Sequence, residues 1–223
     1  MEFERYASVL EEQPVLTVRG LQKAFVATVI ARDMSFDLLP GAHALTGANG
    51  TGKSTLLAMC AGAEPLGAGS IAIAGNDIVY SPVLARKCLG WLPDEPCIYP
   101  FLTGQAFLNL VAATKDVTNS DVLVDYLQRF SLNQLVDLRF DAMSLGMQRK
   151  FMLVAALLGN PQLLILDEPT NGFDAEALTR LIELITARSA TGCVLFSTHD
   201  ERFIQQTQAT RWALADGRIR LLQ

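Results

Sequence analysis

Residues 47–55 read Gly47-Ala48-Asn49-Gly50-Thr51-Gly52-Lys53-Ser54-Thr55 and fill every position of the pattern G-x-x-x-x-G-K-[ST]. The setting matters as much as the pattern. Ala42 to Thr46 reads as a strand before it, and Leu56, Leu57, Met59 and Cys60 give an apolar helical run after it, stopped at Gly62. Strand, loop and helix in that order make a phosphate-binding loop. Glycines let successive N–H groups converge on phosphate oxygens, and the helix start adds positive potential. In such a loop Lys53 places a point charge on the β- and γ-phosphates and Ser54 offers its hydroxyl to Mg²⁺. The expected ligand is a nucleoside triphosphate.

Working outward, the loop needs a carboxylate at the tip of a buried neighbouring strand to complete the magnesium site. Leu163-Leu164-Ile165-Leu166 is a continuous apolar run, as in a strand buried on both faces, and Asp167-Glu168 follows it directly. Asp167 is the candidate metal ligand with Ser54. Glu168 turns in another direction and suits polarising an attacking water. A second such strand, Cys193 to Ser197, ends in Thr198-His199-Asp200 and brings His199 to the same edge. Between the two, Leu178, Leu181, Ile182 and Ile185 give the crossover helix, Ala175 to Arg188, that a parallel pair requires.

The rest of the chain sorts by periodicity. Val15 to Val18 reads as a strand. Met34, Phe36 and Leu38 alternate with polar residues, and after a Pro40-Gly41 turn the chain returns as Ala42 to Thr46. Ser70 to Ala74 is a short strand closed at Gly75-Asn76, and Asp216-Gly217 marks a final hairpin. Residues 94–160 show helical spacing and no convincing strand, with candidate helices at Asp121 to Phe130 and Gly146 to Leu158. The fold class is therefore α/β. The expectation is one domain over residues 1–223: a core with antiparallel strands in 15–93 and 161–223, and a helical subdomain inserted at 94–160. Residues up to about Gln13 read as a loose acidic leader.

Composition bounds the function. Eighteen basic and 23 acidic residues leave a net charge of −5, and no basic run marks a nucleic-acid footprint. Charged residues make up 18%, below the ~25% of an average chain, which favours contact with a partner. No apolar run reaches the ~20 residues of a membrane span. The start, Met1-Glu2-Phe3-Glu4-Arg5, lacks a signal-peptide pattern. Four cysteines at unpaired spacings read as free thiols in a reducing, cytoplasmic setting. His43, inside the strand before the phosphate loop, takes no role.

Taken together, these motifs resemble the ATP-binding subunit of ABC transporters over nearly the whole chain. The resemblance implies a P-loop NTPase core of RecA type, with ATP and Mg²⁺ as ligands. Met143-Ser144-Leu145-Gly146-Met147-Gln148 is similar to the signature Leu-Ser-Gly-Gly-Gln, matching at Ser144 and Gly146, with Leu145 and Met147 as departures. That Ser-x-Gly-Met form looks like the version in ATPases of ABC-2-type exporters. Asn171 to Asp174 matches the D-loop with Asp174 as its acid, Phe25 matches the aromatic that stacks on adenine, and His199 matches the switch histidine. Asp94 aligns with the Q-loop glutamine, and is shorter and anionic. In the family, the signature of one protomer faces the ATP held by the other, so the resemblance implies a head-to-tail dimer, of identical or different ATPase subunits. It also implies a separate transmembrane permease, contacted around Pro96 to Phe107, and a cytoplasmic position at the inner face of a membrane. The chain stops soon after the last hairpin, leaving no importer-type regulatory domain, which tilts the expectation to export. Two other readings stay open: a soluble ATPase of this type acting on nucleic acid or ribosomes, and a weak hydrolyser paired with an active partner.

Overall fold

The computed structural model describes residues 13–26, 28–118 and 120–222, so the acidic leader lies outside the described residues. Two sheets organise them. The first contains β1 (Leu16–Phe25), β2 (Thr28–Leu38), β4 (Ala68–Ile73) and β5 (Asn76–Asp77), in the order β2-β1-β4-β5 and antiparallel throughout. β1 runs well past Val18, where the sequence reading stopped. Gly20 sits at φ +56° and shifts the pairing register between Val18 and Leu21, so apolar alternation breaks while the ladder continues. The β4–β5 loop is Ala74-Gly75, both at positive φ, one residue earlier than expected, and Asn76 pairs with Ile73.

The second sheet has the order β10-β9-β3-β8-β7-β6, from β3 (Gly41–Thr46), β6 (Leu89–Leu92), β7 (Leu163–Leu166), β8 (Cys193–Ser197), β9 (Thr210–Ala215) and β10 (Arg218–Leu221). All its pairs are parallel except β9–β10. β3 does not return along β2: Pro40-Gly41 is a corner between sheets, and the unbroken burial of Ala42 to Leu45, His43 included, is that of a central parallel strand. β7 is not next to β3 either, because β8 lies between them. β6 escaped the sequence reading. It is four residues long and contains Gly90, where a Cβ would lie 2.2 Å from the Ala156 carbonyl oxygen.

Among the described residues seven α-helices fill the connections: α1 (Lys53–Cys60), α2 (Pro82–Lys87), α3 (Gly104–Thr114), α4 (Ser120–Arg129), α5 (Leu145–Leu157), α6 (Ala175–Ser189) and α7 (Glu201–Gln206). Helix α6 is the expected crossover between β7 and β8. Among the described residues 93–160 there is no strand, only an isolated bridge between Thr103 and Arg139. Alternation along β7 divides the interior into two cores. Leu164 and Leu166 face α5 and α6, with Phe151, Leu181 and Phe196, whereas Leu163 and Ile165 face α1 and the antiparallel sheet, with Leu57, Leu16 and Ile71. Each such side chain contributes about 1.5–3 kcal/mol by leaving water. The result is a rigid parallel sheet whose C-terminal edge carries Thr46, Asp167 and Thr198. No helix among the described residues is long and apolar enough to cross a membrane.

Candidate functional site

At that edge lies a cavity of about 430 Å³ lined by residues from Phe25 to His199. The phosphate loop supplies Asn49, Gly50, Gly52, Lys53, Ser54 and Thr55, and Asp94, Glu168 and His199 face it from three other segments. The loop's shape is set by glycine. Gly47 (φ +151°) and Gly52 (φ +96°) take left-handed backbone, and a Cβ at Gly47 would lie 2.5 Å from the Leu214 carbonyl oxygen. Lys53 is buried, and its ammonium group donates to the carbonyls of Gly47 at 2.9 Å and Ala48 at 3.2 Å. Thr51 closes the loop by donating to Ala48 O at 2.9 Å, whereas Ser54 is exposed to the cavity.

Asp167 is 3% exposed at the end of β7, and Ser197 of β8 donates its hydroxyl to Asp167 Oδ1 at 2.6 Å. The same Ser197 oxygen accepts the Glu168 amide at 2.9 Å. Glu168 itself has φ +44°, left-handed backbone that a non-glycine residue adopts at a cost. Its Oε1 lies 3.5 Å from His199 Nε2. Burial pushes the Glu168 carboxyl above its ordinary range, and nearby His199 and Lys53 pull it partly back. That direction suits a group that takes up a proton from water.

These groups fit a magnesium-nucleotide. An exposed serine hydroxyl and a buried ammonium group line the cavity beside a loop whose glycines leave room for phosphate oxygens, and the buried Asp167 carboxylate, next to Glu168, lies behind that lining. Phe25 is half-exposed at the cavity rim, with Lys23 Nζ 5.0 Å from its ring centroid. Thr28 and Ile30 line the same wall, a contribution the sequence reading did not include.

Ser144, Leu145, Gly146, Met147 and Asp174 do not line this cavity. Ser144 caps α5 by accepting the Met147 amide at 3.3 Å, and Asp174 caps α6 by accepting the Ala177 amide at 2.8 Å. Lys150 joins the two helices through Asp174 Oδ2 at 2.7 Å; that bond holds the Asp174 carboxyl below its ordinary range, helped by the Ala177 amide. Gly146 abuts the D-loop: a Cβ there would lie 2.4 Å from the Gly172 carbonyl oxygen.

Sequence reasoning missed Arg149, which is 1% exposed on α5. It bonds the Asp94 carboxylate and main-chain oxygen and the carbonyls of Asp167 and Glu168. Burial lowers the pKa of its guanidinium, opposed first by the Asp94 carboxylate. The available signal was its setting, next to an apolar run from Phe151 onward that buries the second half of α5 all round, where a cation requires a partner. His43 is structural. Its Nε2 lies 2.9 Å from Leu39 O and Trp212 Nε1 donates to its Nδ1 at 3.2 Å, while burial lowers its pKa.

Comparison with known proteins supplies the family. A family model described as ABC transporter matches residues 31–171. The linearmycin resistance ATP-binding protein LnrL of Bacillus subtilis is 30% identical over 190 residues, spanning 83% of this chain and 61% of that protein. The chain thus spans about three fifths of the length of that curated relative. A solved ATP-binding subunit of an ABC transporter superposes with a TM-score of 0.85 at 30% identity, over 93% of this chain and 90% of that one. A dimeric, post-hydrolysis ATP-binding cassette, MJ0796, bound to ADP and Pi, shares the fold with a TM-score of 0.82, at 17% identity over 93% and 98%. With the family model covering more than half its length, this chain belongs to the ABC transporter family of ATP-binding proteins.

Proposed function

We propose that this chain is the ATP-binding and ATP-hydrolysing subunit of a membrane exporter, and that it works as a head-to-tail dimer on a separate permease. The observation that carries the reading is the convergence of Lys53, Asp94, Glu168 and His199 on one cavity beside the phosphate loop. In this reading residues 47–55 cradle the phosphates, Phe25 stacks on the adenine, and Ser54 and Asp167 hold magnesium. Magnesium, when bound, neutralises charge on the phosphoryl oxygens. Glu168 takes the proton of the attacking water, His199 orients the reacting groups, and Lys53 stabilises developing charge.

Ser144 to Met147 complete the partner protomer's site, with the α5 start aimed at the γ-phosphate and Asp174 at the dimer seam. Substrate contacts from both protomers close the dimer, and hydrolysis removes the bridging phosphate and lets it open. Residues 94–160 form the helical subdomain that turns this motion towards the permease. Tyr99 and Phe101, stacked at 5.5 Å and mostly exposed, lie in the expected contact around Pro96 to Phe107. The name of LnrL, a resistance protein, supports export; the dimeric form of MJ0796 supports the assembly.

Affinity purification of the tagged chain from detergent-solubilised membranes, combined with a MgATP turnover assay, tests this. A multi-span membrane protein at constant ratio, with turnover, is the expected result. Ribosomes or nucleic acid in its place would overturn the transporter reading in favour of a soluble ATPase.

A further inference from the structure

Arg149 ties three segments of the site together. Its Nη1 donates to Asp94 Oδ1 at 3.1 Å and to the Asp94 carbonyl oxygen. Its Nη2 donates to the carbonyl oxygens of Asp167 at 3.2 Å and Glu168 at 2.9 Å. Asp94 Oδ1 also accepts from Asn171 Nδ2 at 3.1 Å, in the turn that leaves Glu168. Both sides of Glu168 are therefore held: its amide by Ser197 and its carbonyl by Arg149. The carboxylate between them projects into the nucleotide cavity from left-handed backbone. A planar guanidinium suits this role because its donors form a rigid fork.

We propose that Asp94 and Arg149 act as one positioning unit that fixes Glu168 against the cavity, a salt bridge standing where the resemblance places a neutral glutamine. The proposal rests on the ATPase reading above. Its logic is charge balance. Asp94 supplies the only side-chain carboxylate bonded to Arg149 among the described residues. Arg149 is buried whereas Asp94 is partly exposed, so removing the Asp94 carboxylate leaves the buried guanidinium charge uncompensated, a heavier loss than removing both. Position 94 and position 149 are thus interdependent. Installing the family's own glutamine at 94 harms this protein as long as Arg149 remains.

The test is a double-mutant cycle of wild type, Asp94→Gln, Arg149→Gln and the double variant, with Asp94→Glu as the conservative control. Steady-state kcat and KM for MgATP and the ATP-induced thermal shift are read for each. Asp94→Gln is expected to lower kcat about tenfold with KM changed less than about twofold, and the double variant to recover to within about threefold of wild type. Asp94→Glu keeps the charge and stays within about threefold. The kcat–KM split and the recovery are readouts that simple destabilisation does not produce. Should Arg149→Gln fail to fold, Asp94→Gln and Asp94→Glu still decide. Unchanged or faster turnover in Asp94→Gln, or additive effects across the cycle, overturns the pairing alone. No turnover and no ATP-induced shift in wild type overturns the ATPase reading and this proposal with it.

Discussion

Ser197 bridges Asp167 and Glu168, donating to the Asp167 carboxylate at 2.6 Å and accepting the Glu168 amide at 2.9 Å. It does so from β8, the strand that separates the phosphate-loop strand from the one carrying both acids. Ser197→Ala leaves an amide and a buried carboxylate oxygen short of a partner. The expected loss is about 1–3 kcal/mol of stability in urea unfolding. A weaker magnesium dependence of ATP binding should accompany it, because Asp167 loses the group that orients it. An unchanged unfolding midpoint and magnesium titration would show that the bridge carries neither role.

Glu168→Gln separates binding from turnover. Losing a base of this kind lowers rate by roughly 10²–10⁴-fold. ATP binding should persist, and an ATP-bound dimer should accumulate in light scattering. Turnover at the wild-type rate would place the chemistry on another chain.

The same carboxyl gives a pH signature. Its folded-state pKa is raised, so its stabilising contribution is present in full below the ordinary value of 4.5 and is lost as pH rises through the folded value. Glu168→Gln removes that dependence. It should therefore melt above wild type at neutral pH, with the gap closing as the pH falls towards the ordinary carboxylate range. Wild-type turnover should fall over the same descent, as the base takes up its proton. A constant gap in melting temperature from pH 7 downwards would refute the burial effect.

Lys115 moves the opposite way. Burial, then the charge of Arg188, lowers its pKa from 10.5 to about 8. Its ammonium group donates to the carbonyls of Leu89 and Leu158 at 2.9 Å each, pinning the start of β6 to the end of α5. Between pH 8 and 10.5 the unfolded chain binds the extra proton, so stability rises with pH across that window. Lys115→Met should lose this rise in chemical-denaturation curves taken at several pH values.

Gly146→Ala inverts a general rule. Alanine in place of glycine within a helix ordinarily stabilises by about 1 kcal/mol. Here the new methyl would lie 2.4 Å from the Gly172 carbonyl oxygen, backbone that cannot swing aside. A net loss of about 1–3 kcal/mol is expected by thermal or chemical unfolding, as for an overpacked core position.

Much of this was legible in sequence, for identifiable reasons. The phosphate loop fills a dense pattern, β7 and β8 are unbroken apolar runs, and Asp216-Gly217 is a turn only residues tolerant of positive φ make easily. The illegible parts are those where tertiary contacts override local pattern. Gly20 interrupts alternation along β1, Gly90 weakens the strand signal of β6, and Asp94 has a meaning only beside Arg149, 55 positions away. The apolar run that starts at Phe151 says that a cation beside it needs a partner, but not which of Arg149 and Lys150 is the buried one; Arg149 is buried and Lys150 reaches outward to Asp174.

The backbone at Glu168 sets a trap for anyone improving this protein in the laboratory. Glycine at that position relieves a conformation disfavoured by roughly 1–2 kcal/mol and removes a carboxyl that resists burial. A library screened for heat resistance alone would therefore enrich Glu168→Gly, a sturdier fold with no group left to draw the proton from water. Directed evolution here must select on phosphate release in every round.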